Sequence, residues 1–312
     1  MGKLRVPRTL IEAVAYFADQ QVAHDFFVAL RWPNGAACPQ CGNANVHYMP
    51  KYRRWSCKEC RQQFTAKTGT IFEDSPISFS KWLPAIWLLT ATRNGTSSCE
   101  LARALGVTQK TAWFMLHRIR ESLADHSGES LSGRVEADET YVGGLAKNMH
   151  TSKRKKLTGT GGVDKTAVMG IVERSTKRPG RVRAWVMPFV EGPLLRGKIR
   201  KHVEPGATVY TDGLPAYRGL SQGYDHHVID HAYEYVRGHV HTNSIESFFS
   251  VFKRTVKGTY VAPRPKHLQR YVEEQVYRFN ERENEDGPRF VGAAKLAEGK
   301  RLTYKRLVGK ST

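Results

Sequence analysis

The chain has 312 residues, 40% of them hydrophobic, and a formal net charge of +20. That length holds two or three domains with their own cores, and the apolar content excludes global disorder. The longest apolar run, Trp82 to Ala91, carries Pro84 and is too short to span a bilayer. Met1-Gly2-Lys3-Leu4-Arg5 is basic, but no apolar stretch follows it, so no signal peptide is expected and the cytoplasm is the expected compartment. So strong a positive charge calls for a polyanionic partner. No basic amphipathic helix with a bulky apolar face stands out, which favours nucleic acid over a membrane surface. Residues 134–312 carry a net +14 against +6 for residues 1–133, so the C-terminal part is expected to lie along phosphates.

Thr9 to Arg31 reads as a helix broken once, with Ile11, Val14, Ala15, Ala18, Val22, Phe26 and Leu30 at helical spacing. Trp32-Pro33-Asn34-Gly35 ends it. Cys38-x2-Cys41 and Cys57-x2-Cys60 follow, with fifteen residues between the pairs. Two such turns joined by a hairpin close a tetrahedral four-cysteine zinc site, here a structural one, because four protein ligands leave no open position. Val46, Tyr48 and Tyr52 to Ser56 read as its strands. Two chance pairs or two disulfides fit less well, since a disulfide framework belongs to small secreted domains. Cys99 stands apart and reads as a small buried helix residue. This first domain is placed at 1–72.

A helical region at 73–127 comes next. Ser78 or Ser80 caps a helix that stops at Asn94-Gly95. Residues 96–123 have the pattern of a helix-turn-helix: an N-cap at Thr96-Ser97 with Glu100 after it, a Gly106-Val107 turn, and a second helix capped by Thr108. Ala112, Leu116, Ile119 and Leu123 form the inward stripe. Gln109, Lys110, Thr111 and Trp113 are left at the exposed N-terminal end, where recognition helices touch base edges. A plain helical hairpin joining two domains shares this pattern; the net charge and the neighbouring ribbon favour DNA.

Beyond a Gly/Ser linker, residues 134–312 alternate strands and helices. Strands are expected at Val135–Val142, Ala167–Glu173, Val182–Met187 and Thr208–Thr211, with helices at Leu194–His202, Ser244–Lys257 and Lys266–Glu283. Three strands, a helix, a strand and then helices is the order of an RNase H-like domain. The fold class is therefore α+β multidomain: helix and zinc ribbon, helix-turn-helix, then an RNase H-like α/β domain. The loop from Gly143 to Lys165 carries Lys153, Arg154, Lys155 and Lys156, a solvated run that also suits phosphate.

Asp138 lies mid-strand and Asp212 at a strand end. A bare carboxylate is costly in such places unless something pairs it, so both ask for a metal ion. On the Ser244–Lys257 helix, Ile245, Phe249, Phe252 and Val256 form an apolar face. Asn243, Glu246, Ser250, Lys253 and Lys257 form a polar stripe beside it. An ordinary solvated helix face accounts for Glu246 alone, but not for its setting, His239-Val240-His241-Thr242-Asn243-Ser244-Ile245-Glu246.

Asp138 in A-D-E-T-Y-V-G-G, Asp212 in Y-T-D-G and Glu246 in H-T-N-S-I-E-S-F-F-S, with gaps of 73 and 33 residues, resemble the acidic triad of DDE transposases. With the ribbon, the chain is similar to the zinc-ribbon-bearing transposases of bacterial insertion sequences, from about Phe26 to about Tyr277. The resemblance implies an RNase H-like catalytic core using Mg²⁺ or Mn²⁺, held by Asp138, Asp212 and Glu246. It also implies cleavage and strand transfer at terminal inverted repeats and target DNA, by a homodimer or higher oligomer associated with the nucleoid. In related sequences an Asn at the Asn243 position competes for the third place, and the resemblance leaves that choice open. Glu136 and Glu139 lie near Asp138, and Glu139 points to the opposite face of a regular strand. Lys253, Lys257 and the 153–156 cluster would hold phosphates. A DNA-binding regulator with a decayed catalytic domain, or a nuclease that cuts without joining, are the alternatives.

The charge makes DNA affinity steeply salt-dependent. If about six or more phosphates are neutralised, affinity falls roughly a thousandfold or more between low and moderate salt. A flat plot of log affinity against log salt would exclude nucleic acid as the partner.

Overall fold

The structure is a computed structural model and describes residues 5–124, 128–143, 150–154, 165–174, 180–229 and 241–309. The chain divides into two compact units, residues 1–124 with 284–312, and residues 125–283.

The first unit opens with α1 (Leu10–Phe17) and α2 (Gln20–Arg31). The break between them has a local cause. Asp19 is extended, and its carboxylate accepts the N–H groups of Gln21 and Val22 at 2.6 and 2.9 Å, starting a new helix. The antiparallel ribbon β1 (Val46–Met49), β2 (Arg54–Cys57) and β3 (Gln63–Phe64) follows. Next come α3 (Phe79–Ala91), α4 (Ser98–Leu105) and α5 (Gln109–Leu123). Ser97 and Glu100 form the expected capping box, Gly106 ends α4 at φ 60°, and Thr108 caps α5. The boundary expected at residue 72 is not a division of the core, because Phe72 packs against Phe27, Phe79 and Trp82.

The second unit is built on β4 (Arg134–Val142), β5 (Thr166–Arg174), β6 (Val182–Met187), β7 (Thr208–Asp212) and β8 (Asp225–Ile229). Its helices are the short α6 (Thr151–Arg154), α7 (Gly192–His202), α8 (Asn243–Thr255) and α9 (Pro265–Asn280). The sheet order is β6-β5-β4-β7-β8. The first three strands are antiparallel, while β7 runs parallel to β4 and β8 parallel to β7. This is the RNase H-like arrangement expected from the sequence, with β8 added.

Strand alternation assigns the faces. Val135, Ala137, Met169 and Ile171 pack with Leu195 and Ile199 of α7 on one side. Val168, Val172 and Ala184 pack with Ile245, Phe249 and Phe252 of α8, and with Leu268 and Val272 of α9, on the other. Asp138 pairs with Gly170 and Glu136 with Val172, so both acids stand on the α8 side and Glu139 on the α7 side.

After α9 the chain rejoins the first unit, through α10 (Asp286–Lys295) and α11 (Tyr304–Val308). This differs from the single domain expected over 134–312. Phe290 is the reason: it is fully buried, with ring centroids 5.6, 5.9 and 5.2 Å from those of Phe17, Phe26 and Trp87. Lys300 reinforces the return by donating to the carbonyls of Ser122 and Ala124 at 2.7 and 2.9 Å.

Gly170 sets how closely α8 approaches the sheet. A Cβ there would come within 2.7 Å of Ile245 Cδ1 and 3.0 Å of Phe249 Cζ. Gly170→Ala should therefore cost about 1–3 kcal/mol by overpacking. Adding Ile245→Val, which removes the nearest carbon, should recover part of that loss in urea denaturation. An unchanged Gly170→Ala stability would mean that α8 is not tightly seated.

Candidate functional site

The ribbon brings its four cysteines together. Cys38 and Cys60 sulfurs lie 3.6 Å apart, as do those of Cys41 and Cys57, and all four fall within 4.8 Å of one another. Four sulfurs around a zinc ion at about 2.3 Å would stand about 3.8 Å apart, so the donor set fits zinc. The two turns are alike. The residue after each second cysteine takes positive φ, Gly42 at 75° and Arg61 at 59°. Burial raises the Cys38 thiol, but the amides of Cys41 and Gln40 help bring it down to about 7. The Gln62 amide lowers Cys60, yet desolvation and the neighbouring sulfurs push it up to about 12. Four thiolates this close repel one another, and a divalent ion relieves that repulsion.

At the start of α5, Gln109 and Lys110 are exposed as expected. Both are engaged within the unit: Gln109 donates to Ser98 Oγ at 2.8 Å, and Lys110 Nζ sits 5.2 Å from the Tyr304 ring centroid. Thr111 and Trp113 are only half-buried rather than exposed, with Trp113 edge-on to His117. The basic loop is placed in part. Lys153 and Arg154 fall on α6, while Lys155 and Lys156 lie outside the described residues, as do His239 and Val240.

Asp138 and Asp212 lie toward the same end of the sheet. The last β4–β7 pair is Glu136 with Tyr210, and Asp138 and Asp212 each stand two residues beyond it. They are thus level with each other on neighbouring parallel strands. Asp138 Oδ1 accepts the Glu139 N–H at 2.7 Å, and Asp212 Oδ1 that of Leu214 at 3.1 Å. Glu139 responds first to burial and then to these two charges. Burial, with the charges of Asp138 and Asp212, raises its carboxyl to about 8 although Tyr217 donates a hydrogen bond to it. Negative potential of this kind suits a hard cation. Among the described residues, the cysteines are the only group of three or more potential ligands within 4.8 Å of one another. Any cation at the acids would thus draw further oxygens from water and phosphate, as Mg²⁺ commonly does.

The polar stripe of α8 is exposed as expected at Asn243, Glu246, Ser250, Lys253 and Lys257, and its apolar face is buried. Glu246 accepts the Thr242 hydroxyl at 2.8 Å. Lys257 lies beyond the α-helical end, in a π-turn over Val256–Tyr260. Three residues escaped the sequence reading as participants: Tyr217, Arg174 and Glu136, the last a fully buried acid on the Asp138 face. An acid flanked by the apolar Val135 and Ala137 near the start of a strand was the available signal for Glu136.

A family model described as an ISXO2-like transposase domain matches residues 130–280, and one described as a transposase zinc-ribbon domain matches residues 18–63. A Halobacterium salinarum protein, described as uncharacterized and carried in transposable element ISH50, is 31% identical over 251 residues. That alignment covers 76% of this chain and 83% of the relative. The chain belongs to the ISXO2-like transposase family. An uncharacterized transposase-like protein of Haemophilus influenzae is 31% identical over 104 residues, 33% of this chain and 84% of that one. The transposase-domain match runs from just before β4 to the end of α9 and contains Glu136, Asp138, Glu139, Asp212 and Glu246. The stretch between the two matches holds the helix-turn-helix. Among the described residues, no helix of this family member is long and apolar enough to cross a membrane.

A ribbon this small owes much of its folding free energy to its metal. Cys57→Ser should unfold it, lower zinc below one ion per chain and weaken specific DNA binding. Native protein containing less than one zinc per chain by elemental analysis would refute the assignment.

Proposed function

We propose that the chain cuts DNA at the ends of its mobile element and joins them to target DNA, in a reaction dependent on Mg²⁺ or Mn²⁺. The observation that carries this reading is the level placement of Asp138 and Asp212 on adjacent parallel strands, with the first turn of α8 bonded to Glu136, two residues before Asp138. Asp138, Asp212 and Glu246 would hold the cation. When bound, it would polarise the scissile phosphate and favour the attacking oxygen, first of water and then of a freed 3′-OH.

The chain's own residues supply the remainder. The carboxylates of Asp138 and Asp212 are hard, charged oxygens at fixed strand positions. Glu246 and Asn243 project from the exposed side of the first turn of α8. Lys253 and Lys257, exposed further along, would hold the phosphates of the bound strand, as would Lys153, Arg154, Lys155 and Lys156. Gln109, Lys110 and Thr111 would face the terminal repeats, and the four-cysteine ribbon would hold zinc and position that DNA-binding region. Two copies on paired element ends would make a homodimer or larger assembly.

Asp138→Asn and Asp212→Asn should abolish cleavage of end DNA in Mg²⁺ while leaving DNA binding intact, since each removes charge but little volume. Glu246→Gln should cost orders of magnitude and recover in part with Mn²⁺, because a carboxylate neutralises a divalent ion and a carboxamide does not. Asn243→Ala should cost less. The reverse ranking would make Asn243 the third ligand. Specific binding by the parent protein without any cutting would leave a DNA-binding regulator.

A further inference from the structure

We infer that Glu136 is a positioning residue: with Arg174 it clamps the first turn of α8 to strand β4 and so fixes where Asn243 and Glu246 stand relative to Asp138. The catalytic part of this inference rests on the function proposed above; the clamp itself does not.

Glu136 is 0% exposed. Its Oε2 accepts the backbone N–H groups of Ser244 and Ile245 at 2.8 and 2.9 Å, and its Oε1 accepts the Ser244 hydroxyl at 2.8 Å. Arg174 Nε donates to the same carboxylate. The guanidinium also donates to the His241 carbonyl and, at 2.8 Å, to His241 Nδ1, and its carbon lies 4.3 Å from the Tyr210 ring centroid. One buried ion pair therefore holds both the first turn of α8 and the residue just before its cap.

The chemistry favours this arrangement at both partners. The first N–H groups of a helix have no partner within it, and a carboxylate at that end also meets the positive end of the helix dipole. Thr242 stands at the N-cap but makes no side-chain capping bond to the helix amides; its hydroxyl donates to Glu246 instead. The cap is supplied from β4. A carboxylate buried without partners would be expensive, so four donors converging on one acid mark a specified contact. A local cap would stabilise α8 wherever it lay. A cap borrowed from β4 ties it to the strand that bears Asp138, two residues further along on the same face, about 7 Å away.

The test uses full-length, zinc-loaded protein. Glu136→Gln keeps the shape but replaces one acceptor oxygen with a donor. Hydrogen exchange at the Ser244 and Ile245 amides should accelerate by about tenfold or more, with the β4 and β5 amides unchanged. Affinity for end DNA should stay within about twofold, while single-turnover cleavage in Mg²⁺ should fall about 10- to 100-fold, the scale of a 1 Å misplacement. Arg174→Lys, which keeps the charge but not the fork, should fall between parent and Glu136→Gln on both readouts. If Glu136→Gln loses protection throughout the sheet, Ser244→Ala decides: it removes only the hydroxyl contact and should show smaller changes in the same direction. Unchanged exchange at residues 244 and 245 in a folded variant would overturn the clamp. Faster exchange with parental cleavage would overturn its positioning role. A parent protein that does not cut at all would refute the proposed function, and exchange would still decide the clamp.

Discussion

A carboxylate removed from water must find compensation, and strand β4 carries three acids within four residues. Each is accommodated differently. Glu136, fully buried, receives Arg174 and the start of α8. Glu139, on the opposite face, has its carboxyl raised to about 8 and takes the Tyr217 hydroxyl. Asp138 remains half-buried beside Asp212, at the edge of solvent. One strand thus commits its first acid to architecture and leaves its second at the solvent edge beside Asp212, and the alternation of side chains keeps both on the α8 face. The third, on the other side of the sheet, is kept largely protonated near neutral pH by its burial and by the charges of Asp138 and Asp212.

The first unit depends on a different constraint. Its ribbon has a small core, centred on Trp55 with Trp32 and Phe64 around it. His24 of α2 stacks on Trp55 at 6.1 Å, so an aromatic contact seats the ribbon on the helices. The return of α10 completes the core around Phe17 and Phe26. Loss of the metal would therefore be felt first in the ribbon, while the helical part retains its own apolar contacts.

Much of this was legible because it is local or periodic. Ser97 with Glu100, Gly106 and Thr108 lie within a dozen residues, and each acts on its immediate neighbours. The faces of α8 follow from helical spacing, and every residue assigned to its polar stripe is exposed. What was not legible is non-local. The Glu136 cap joins residues 108 positions apart, and no pattern near Ser244 announces an acid from another element. Strand β8 was missed because Asp-His-His-Val-Ile lacks apolar alternation; its strand character comes from pairing beside β7. The return of residues 284–309 to the first unit was hidden for the same reason, since Phe290 finds its partners some 270 positions earlier. The convergence of Asp138 and Asp212 lay between these cases: each strand could be recognised locally, but their level placement needed the parallel pairing.

The helix that bears Asn243, Glu246 and Lys253 is held at its buried face and at both ends. Its buried face, Ile245, Phe248, Phe249 and Phe252, sets its rotation. Gly170 lets it approach the sheet to a depth that a Cβ would prevent. Glu136 fixes one end. At the other, Tyr260 in the π-turn donates to Glu274 of α9, a second fully buried acid, which also pairs with Arg278. Two buried carboxylates, each supplied by another element, thus restrain the helix at its start and just past its end. Apolar packing alone tolerates a small slide along the axis, whereas directional bonds at both ends do not. A functional constellation must be held to a fraction of an ångström to be productive, and side chains on a rigid element meet that demand better than side chains on a loop. The polar residues of α8 need not be buried or mutually bonded to be well placed, because the restraint lies beneath and beyond them.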